Sequence, residues 1–215
     1  MNITAKICGL STPDTVSTAV SHNAAFLGFV FYEKSPRYVT PAQMARLSKD
    51  VPEHIKRVAL CVDADDQQLK KIVDTAAPDF LQLHGRETPE RAIQIRDLID
   101  LPLIKAVQIS KVEHVERAHD YEAVANILLF DAKPSATDLE ALPGGNALSF
   151  DWSLLSRETW DIPWVLSGGL TKDNVGSAIK MTGAQMVDVS SGVESVRGVK
   201  DPRLIEEFLE TVGRL

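Results

Sequence analysis

The sequence predicts an α/β fold, a (β/α)8 barrel built as a single domain that spans residues 1–215. About eight short runs rich in branched or aromatic residues recur at a period of roughly 20 to 35 residues, each followed by a helical pattern. A length of 215 residues suits a closed barrel as one unit. The competing architecture is a doubly wound open sheet, but no G-x-G-x-x-G fingerprint follows any of the runs.

The predicted strands are short and mostly apolar, as expected for a buried parallel sheet. They are residues 5–9, 26–31, 57–62, 80–83, 103–107, 127–130, 164–166 and 186–189. The predicted helices begin at a capping residue followed by proline, whose missing amide proton costs nothing in the first turn. These starts are Thr12-Pro13, Thr40-Pro41 with Gln43 at capping-box spacing, Thr88-Pro89 and Asp201-Pro202.

Composition and charge exclude several classes of protein. A net charge of -7 argues against a nucleic-acid-binding surface, which needs clustered Lys and Arg. Two cysteines, Cys8 and Cys61, form neither a disulfide framework nor a paired zinc site, which suggests a reducing, cytoplasmic setting. No window approaches the roughly 20 apolar residues that cross a bilayer, and the N-terminus has no signal-like core. We therefore expect no nucleic-acid, membrane or obligatory protein partner.

In a parallel barrel the active site is built at the carboxyl ends of the strands. The residues that close the predicted strands are Cys8, Phe31, Asp63, His84, Gln108, Asp131, Ser167 to Gly169 and Asp188 to Gly192. Lys6 and Cys8 alternate onto one face of the first strand, and a lysine beside a thiol favours the thiolate, which can act as a base. The alternative is that Cys8 is a small buried apolar residue, as Cys61 is expected to be.

Two loops resemble a phosphate site. Gly168 and Gly169 follow the seventh strand, and Ser190, Ser191 and Gly192 follow the eighth. Barrels frequently bind phosphate with backbone amides at these two positions, so we expect a phosphorylated small-molecule ligand. The alternative is that the glycines serve tight turns alone.

Four further side chains are candidates for the site. Asp131 ends an apolar strand, where partial desolvation suits a general acid, although a solvated cap is equally open. Arg37 could grip a carboxylate, His84 could titrate and Asp188 could meet ligand hydroxyls or Lys6, although an exposed arginine and a structural histidine remain alternatives. A long connection over residues 132–149 is typical of an active-site loop, with a surface insertion as the alternative.

Several motifs together resemble one family, phosphoribosylanthranilate isomerase of tryptophan biosynthesis, and they follow that family's order over nearly the whole chain. They are Lys6 to Gly9, Phe29 to Phe31 leading to Ser35 to Val39, Leu81 to Gly85, Phe150 to Trp152, Ser167 to Leu170 with Asn174-Val175, and Asp188 to Glu194. The resemblance implies a TIM barrel and an Amadori rearrangement of N-(5-phosphoribosyl)anthranilate to 1-(2-carboxyphenylamino)-1-deoxyribulose 5-phosphate.

The resemblance also implies roles for particular residues. Asp131 would be the general acid that opens the ribose ring, and Cys8 the general base that takes the proton from the neighbouring sugar carbon. Arg37 would hold the anthranilate carboxylate, and Asp188 would contact ribose hydroxyls. The phosphate would be held around Gly169, Ser190, Ser191 and Gly192, and His84 would line the site. Such a redox-neutral rearrangement needs no metal or organic cofactor.

Asn146-Ala147 departs from the family's usual small residue and glycine, which affects the expected conformation of this loop. Two other functions stay open on the residues alone. One is another sugar-phosphate barrel enzyme, an epimerase or aldolase, which would have no use for Arg37 as a carboxylate clamp. The other is a non-catalytic barrel that binds a phosphorylated metabolite.

Overall fold

A computed structural model of the protein describes residues 3–133, 144–145 and 148–215. Eight parallel strands form a closed barrel in sequence order, which confirms the predicted (β/α)8 fold. The strands are β1 (Thr4–Cys8), β2 (Phe26–Val30), β3 (Lys56–Cys61), β4 (Phe80–Leu83), β5 (Leu103–Ile109), β6 (Ile127–Ala132), β7 (Trp164–Leu166) and β8 (Met186–Val189).

Seven α-helices surround the barrel in the described part of the chain. They are α1 (Pro13–Ser21), α2 (Pro41–Leu47), α3 (Asp66–Ala76), α4 (Pro89–Ile99), α5 (Val112–Glu116), α6 (Val175–Thr182) and α7 (Pro202–Gly213). All four predicted helix starts are confirmed, and the Thr40 side chain forms the expected capping box with Gln43. None of the described helices is long and apolar enough to cross a membrane.

Two details of the element pattern differ from those predicted from the sequence. After β6 the described residues contain a short 3₁₀ turn, Trp152–Leu155, where a helix was expected. After β8 a small antiparallel hairpin appears that was not expected, formed by β9 (Glu194–Val196) and β10 (Val199–Lys200). The turn of the hairpin contains Gly198, whose φ of +89° favours glycine, and strands of three and two residues leave little periodicity to detect.

The register across the barrel brings polar side chains together at one end. Lys6 of β1 stands beside Asp188 of β8, and Cys8 of β1 stands beside Gly28 of β2. Buried apolar residues fill the space between the barrel and its helices, and a smaller apolar group formed by Cys8, Val30 and Leu60 lies towards the carboxyl ends of the first three strands. A pocket opens at this carboxyl end of the barrel.

Candidate active site

A pocket opens at the carboxyl ends of the strands. Side chains and loops that follow β1, β2, β3, β4, β6, β7 and β8 all contribute to it. The lining residues that were predicted from the sequence are Cys8, Arg37, His84, Asp131, Gly168, Gly169, Asp188, Ser190 and Ser191. Phe31, Asp63 and Gln108, which also close predicted strands, are not among the lining residues.

Cys8 lies above a buried ion pair. Lys6 Nζ donates to Asp188 Oδ1 at 2.8 Å, and Ser167 Oγ donates to Asp188 Oδ2 at 3.1 Å. This contact identifies Asp188 as the partner of Lys6. A Cβ atom added to Gly28 would lie 3.0 Å from Cys8 Sγ and 3.1 Å from Lys6 Nζ, so the thiol and the ammonium border the same small space.

Burial and two nearby charges act on the pKa of the Cys8 thiol. Burial raises the pKa of Cys8, the positive charge of Lys6 lowers it, and the negative charge of Asp188 raises it, with a net increase. Lys6 therefore acts in the predicted direction but burial outweighs it. Burial alone would lower the pKa of Lys6, but the charges of Asp188 and Cys8 raise it overall, so Lys6 stays charged. Cys61 is fully buried, as predicted.

Asp131 and His84 meet on the β4 and β6 side of the pocket. His84 Nδ1 lies 2.9 Å from Gln82 Nε2, and His84 Nε2 lies 3.2 Å from Asp131 Oδ2, so the ring connects Gln82 to the carboxyl group. Asp131 Oδ1 accepts from the amide of Ala132 at 2.9 Å. Asp131 is 6% exposed, so it is a buried carboxyl group and not a solvated cap.

Arg37 is a buried residue, 3% exposed, and not a free loop arginine. Its Nε and Nη2 donate to the two carboxylate oxygens of Glu194 at 2.6 Å and 2.8 Å, and Nη2 also donates to the carbonyl of Gly145 at 3.0 Å. The side chain passes over Gly9, where an added Cβ would approach Arg37 Cδ to 2.7 Å. The sequence analysis expected Arg37 to bind the carboxylate of a ligand. In the structure Glu194 of the protein itself is its bidentate carboxylate partner.

The two predicted phosphate loops face each other across the pocket. Gly168 and Gly169 have φ angles of +87° and +68°, which L side chains rarely adopt, and both line the pocket. Ser190 and Ser191 line it from the other loop. Gly192 is not among the lining residues, and a Cβ added to it would clash with the carbonyl oxygen of Leu170.

Several residues at the site were missed by sequence reasoning. Glu194 and Lys200 come from the β9–β10 hairpin, and Lys200 Nζ donates to Glu194 and to the carbonyl and hydroxyl oxygens of Ser190 at 3.0 Å and 3.2 Å. Burial lowers the pKa of Lys200, and Glu194 opposes this effect. Glu194 and Lys200 are oppositely charged and six positions apart, a pattern that exposed ion pairs also show. The sequence therefore did not distinguish this buried pair from a surface pair.

The long connection after β6 reaches the site through its described glycines. An added Cβ on Gly144 would lie 2.8 Å from both Asp131 Oδ2 and His84 Nε2, and one on Gly145 would lie 2.6 Å from Arg37 Nη1. Both glycines line the pocket. Most of the predicted 132–149 loop, including the Asn146-Ala147 departure, lies outside the described residues.

The described part of the chain offers one group of three or more residues with metal-ligand atoms close together. His22, Glu206 and Glu210 have such atoms within 4.8 Å of one another. They lie between the end of α1 and α7, away from the pocket, and Glu210 already accepts from Arg214 at 2.7 Å. The group is therefore separate from the chemistry of the pocket.

Comparisons with known proteins point to one family. The family model described as N-(5'phosphoribosyl)anthranilate (PRA) isomerase matches residues 5–211. The N-(5'-phosphoribosyl)anthranilate isomerase of Parvibaculum lavamentivorans is 49% identical over 214 residues, and that of Rhodospirillum centenum is 45% identical over 215 residues. Each alignment covers 100% of both chains.

Solved structures agree. A phosphoribosyl anthranilate isomerase from Thermotoga maritima superposes with a TM-score of 0.87 at 34% identity, covering 99% of this chain and 100% of that chain. A phosphoribosyl anthranilate isomerase in complex with reduced 1-(o-carboxyphenylamino)-1-deoxyribulose 5-phosphate superposes with a TM-score of 0.83 at 33% identity, with the same coverage.

Proposed function

The chain belongs to the N-(5'-phosphoribosyl)anthranilate isomerase family, and we propose that Cys8 and Asp131 divide the proton transfers of its reaction. The activity is the isomerisation of N-(5-phosphoribosyl)anthranilate in tryptophan biosynthesis, as the resemblance implied. The relatives match this function and neither of the two alternatives, the epimerase or aldolase and the non-catalytic barrel.

In the first step Asp131 protonates the ring oxygen of the ribose. The bond from this oxygen to the anomeric carbon breaks, and the lone pair of the anthranilate nitrogen forms the C=N bond of a protonated Schiff base. Oδ1 of Asp131 is held by the Ala132 amide, so Oδ2, which meets His84, is the oxygen that exchanges the proton. His84 lines the site and orients this carboxyl group without a proton transfer of its own.

In the second step the Cys8 thiolate takes the proton from the second sugar carbon. The electron pair of that C–H bond becomes the C=C bond of an enolamine, and the pair of the C=N bond returns to nitrogen. The enolamine then tautomerises to the ketone. The positive Schiff base beside Cys8 lowers the pKa of the thiol during the reaction, which opposes the effect of burial.

Substrate binding uses the two anionic ends of the molecule. Arg37 binds the anthranilate carboxylate, and amides at Gly168, Gly169, Ser190 and Ser191 bind the phosphate. The ligand of the related complex carries both a carboxyphenyl group and a phosphate, which supports a site for two anionic groups. Gly192 shapes the phosphate loop. Asp188 reaches ribose hydroxyls while it stays paired with Lys6.

Three further expectations complete the proposal. Residues 1–215 form one domain, because the barrel closes from β1 to β8 and α7 packs back on β1. Every bond change balances within one substrate molecule, so the reaction uses no metal or organic cofactor. The third expectation is that the enzyme needs no obligatory protein partner and acts in the cytoplasm on a phosphorylated small molecule.

The observation that carries the proposal is the placement of Cys8 and Asp131 in the lining of one pocket, together with Arg37 and the two phosphate loops. The test follows the loss of anthranilate fluorescence with the wild type, Cys8→Ser and Asp131→Asn. Each variant should lose at least about 100-fold in kcat with a smaller change in KM. Full activity in either variant would remove that residue from the proposed mechanism.

A further inference from the structure

We propose that Glu194 is a positioning residue for carboxylate recognition, holding Arg37 so that its Nη1 group is the donor offered to the substrate. This inference rests on the proposed binding of the anthranilate carboxylate by Arg37. It concerns a residue that does not line the pocket and so acts through Arg37.

The two oxygens of Glu194 are fully occupied by donors of the protein. Oε1 accepts from Arg37 Nε and Lys200 Nζ, and Oε2 accepts from Arg37 Nη2 and from the amide of Gly198 at 2.9 Å. The side chains of Arg37 and Glu194 are each 3% exposed. Although burial alone would raise it, the pKa of Glu194 is lowered to about 2 because Arg37 and Lys200 favour the carboxylate. Glu194 is therefore a fixed negative charge at neutral pH.

Among the residues that the structure describes, the hydrogen bonds of the Arg37 side chain use Nε and Nη2, which leaves Nη1 for a ligand. Nε and Nη2 are bound to Glu194, and Nη2 is also bound to the Gly145 carbonyl. Nη1 points towards Gly145, where an added Cβ would lie 2.6 Å from it, and Arg37 and Gly145 both line the pocket. A guanidinium has a rigid fork of donors, so fixing one edge fixes the direction of the other nitrogen.

The same carboxylate connects the Arg37 end of the pocket to the phosphate loop. Lys200 Nζ bridges Glu194 and Ser190, so β9 and β10 link residues that follow β2 and β8. Two cations surround one carboxylate, and the cluster keeps a net positive charge beside the pocket. This excess suits an anionic ligand and is costly to bury without one.

A purely structural ion pair would give the same contacts, so the test must separate the two roles. We would measure by calorimetry the affinity of the reaction product and of its decarboxylated analogue, which keeps the sugar phosphate and the phenylamino group. The ratio of the two affinities reports carboxylate recognition. A loss of folding or of pocket shape lowers both affinities and leaves the ratio unchanged.

Glu194→Gln removes the charge and places an amide NH2 group against one of the donors. We expect the affinity ratio to fall by about tenfold, since Arg37 is no longer held in one orientation. Arg37→Ala should remove the preference for the carboxylate. Asp79→Asn is the matched control, because Asp79 pairs bidentately with Arg57 at 2.8 Å and 3.1 Å before β4, at the opposite end of the barrel. It should leave the ratio unchanged.

The outcomes separate the two hypotheses. If Arg37→Ala keeps the preference for the carboxylate, the proposed role of Arg37 is wrong and the inference falls with it. If Arg37→Ala loses the preference and Glu194→Gln keeps or increases it, the inference about Glu194 alone is wrong. Should Glu194→Gln fail to fold, Glu194→Asp keeps the charge but shortens the reach to Arg37, and an unchanged ratio in that variant would equally overturn the inference.

Discussion

Lys6 Nζ lies 2.8 Å from Asp188 Oδ1 at the buried floor of the pocket, where the two side chains are 2% and 5% exposed. These residues come from β1 and β8, the first and last strands of the barrel. Their charges act in opposite directions on the pKa of Cys8. Lys6 lowers the pKa of Cys8 and Asp188 raises it. Burial is the largest influence on this pKa, and the two charges adjust in opposite directions the fraction of thiolate that the proposed base can use.

Lys6→Met should reduce the reactivity of Cys8. Without the ammonium group the charge of Asp188 is unopposed, so the pKa of Cys8 should rise further. The measurement is the pH dependence of iodoacetamide alkylation in a Cys61→Ala background, which leaves one thiol. At pH 8 the alkylation rate should fall by about tenfold, and an unchanged profile would show that Lys6 does not act on the thiol.

Asp188→Asn should shift the pKa of the Cys8 thiol in the opposite direction. Removing the carboxylate leaves the positive charge of Lys6 acting on Cys8, so the pKa of the thiol should fall and alkylation should accelerate at neutral pH. Turnover should nevertheless decrease, because the proposed contact with the ribose hydroxyls is weakened. Faster alkylation together with faster turnover would argue against that contact.

Gly28→Ala should impair catalysis more than folding. The new Cβ would lie 3.0 Å from Cys8 Sγ, tighter than ordinary packing, so the thiol must move. We expect kcat to fall at least about tenfold while stability falls by about 1–3 kcal/mol. Gly176→Ala in α6 is the control, because its nearest neighbour would be 3.5 Å away. Equal losses of kcat in both variants would contradict the account.

Lowering the pH should reduce the free energy of unfolding, because it protonates the carboxylate of Glu194. The folded-state pKa of about 2 lies below the ordinary value of 4.5, so the stabilisation is complete above pH 4.5 and is lost as the pH falls towards 2. Urea unfolding at pH 6 and pH 3 should show a smaller acid-induced loss in Glu194→Gln than in the wild type. Glu53→Gln, at an exposed position, should behave like the wild type.

The barrel and its helix starts were predictable because their signals are local. A capping threonine and its proline are adjacent in the chain, and a buried parallel strand is a short apolar run. Cys8 and Asp131 were candidates because each closes such a run. The family resemblance then gave them roles, which the proposed mechanism keeps.

The sequence left Lys6 as one of two alternative partners for Asp188 and did not predict the Arg37–Glu194 pair, because the partners are far apart in the chain. Lys6 and Asp188 are 182 positions apart, and Arg37 and Glu194 are 157 positions apart. Their meeting depends on the closure of the barrel and on a hairpin too short to show periodicity. The net rise in the pKa of Cys8 was not predictable for a related reason, since the extent of burial follows from the whole fold.

The central claim is that Asp131 opens the ring and Cys8 then removes the proton from the second sugar carbon. Substrate deuterated at that carbon tests it most directly, by the kinetic isotope effect on kcat in the two variants. Cys8→Ser should make C–H cleavage rate-limiting and show a large primary effect. Asp131→Asn should make ring opening rate-limiting and show an effect close to one. The reverse pattern, or a large effect in both variants, would contradict the assignment.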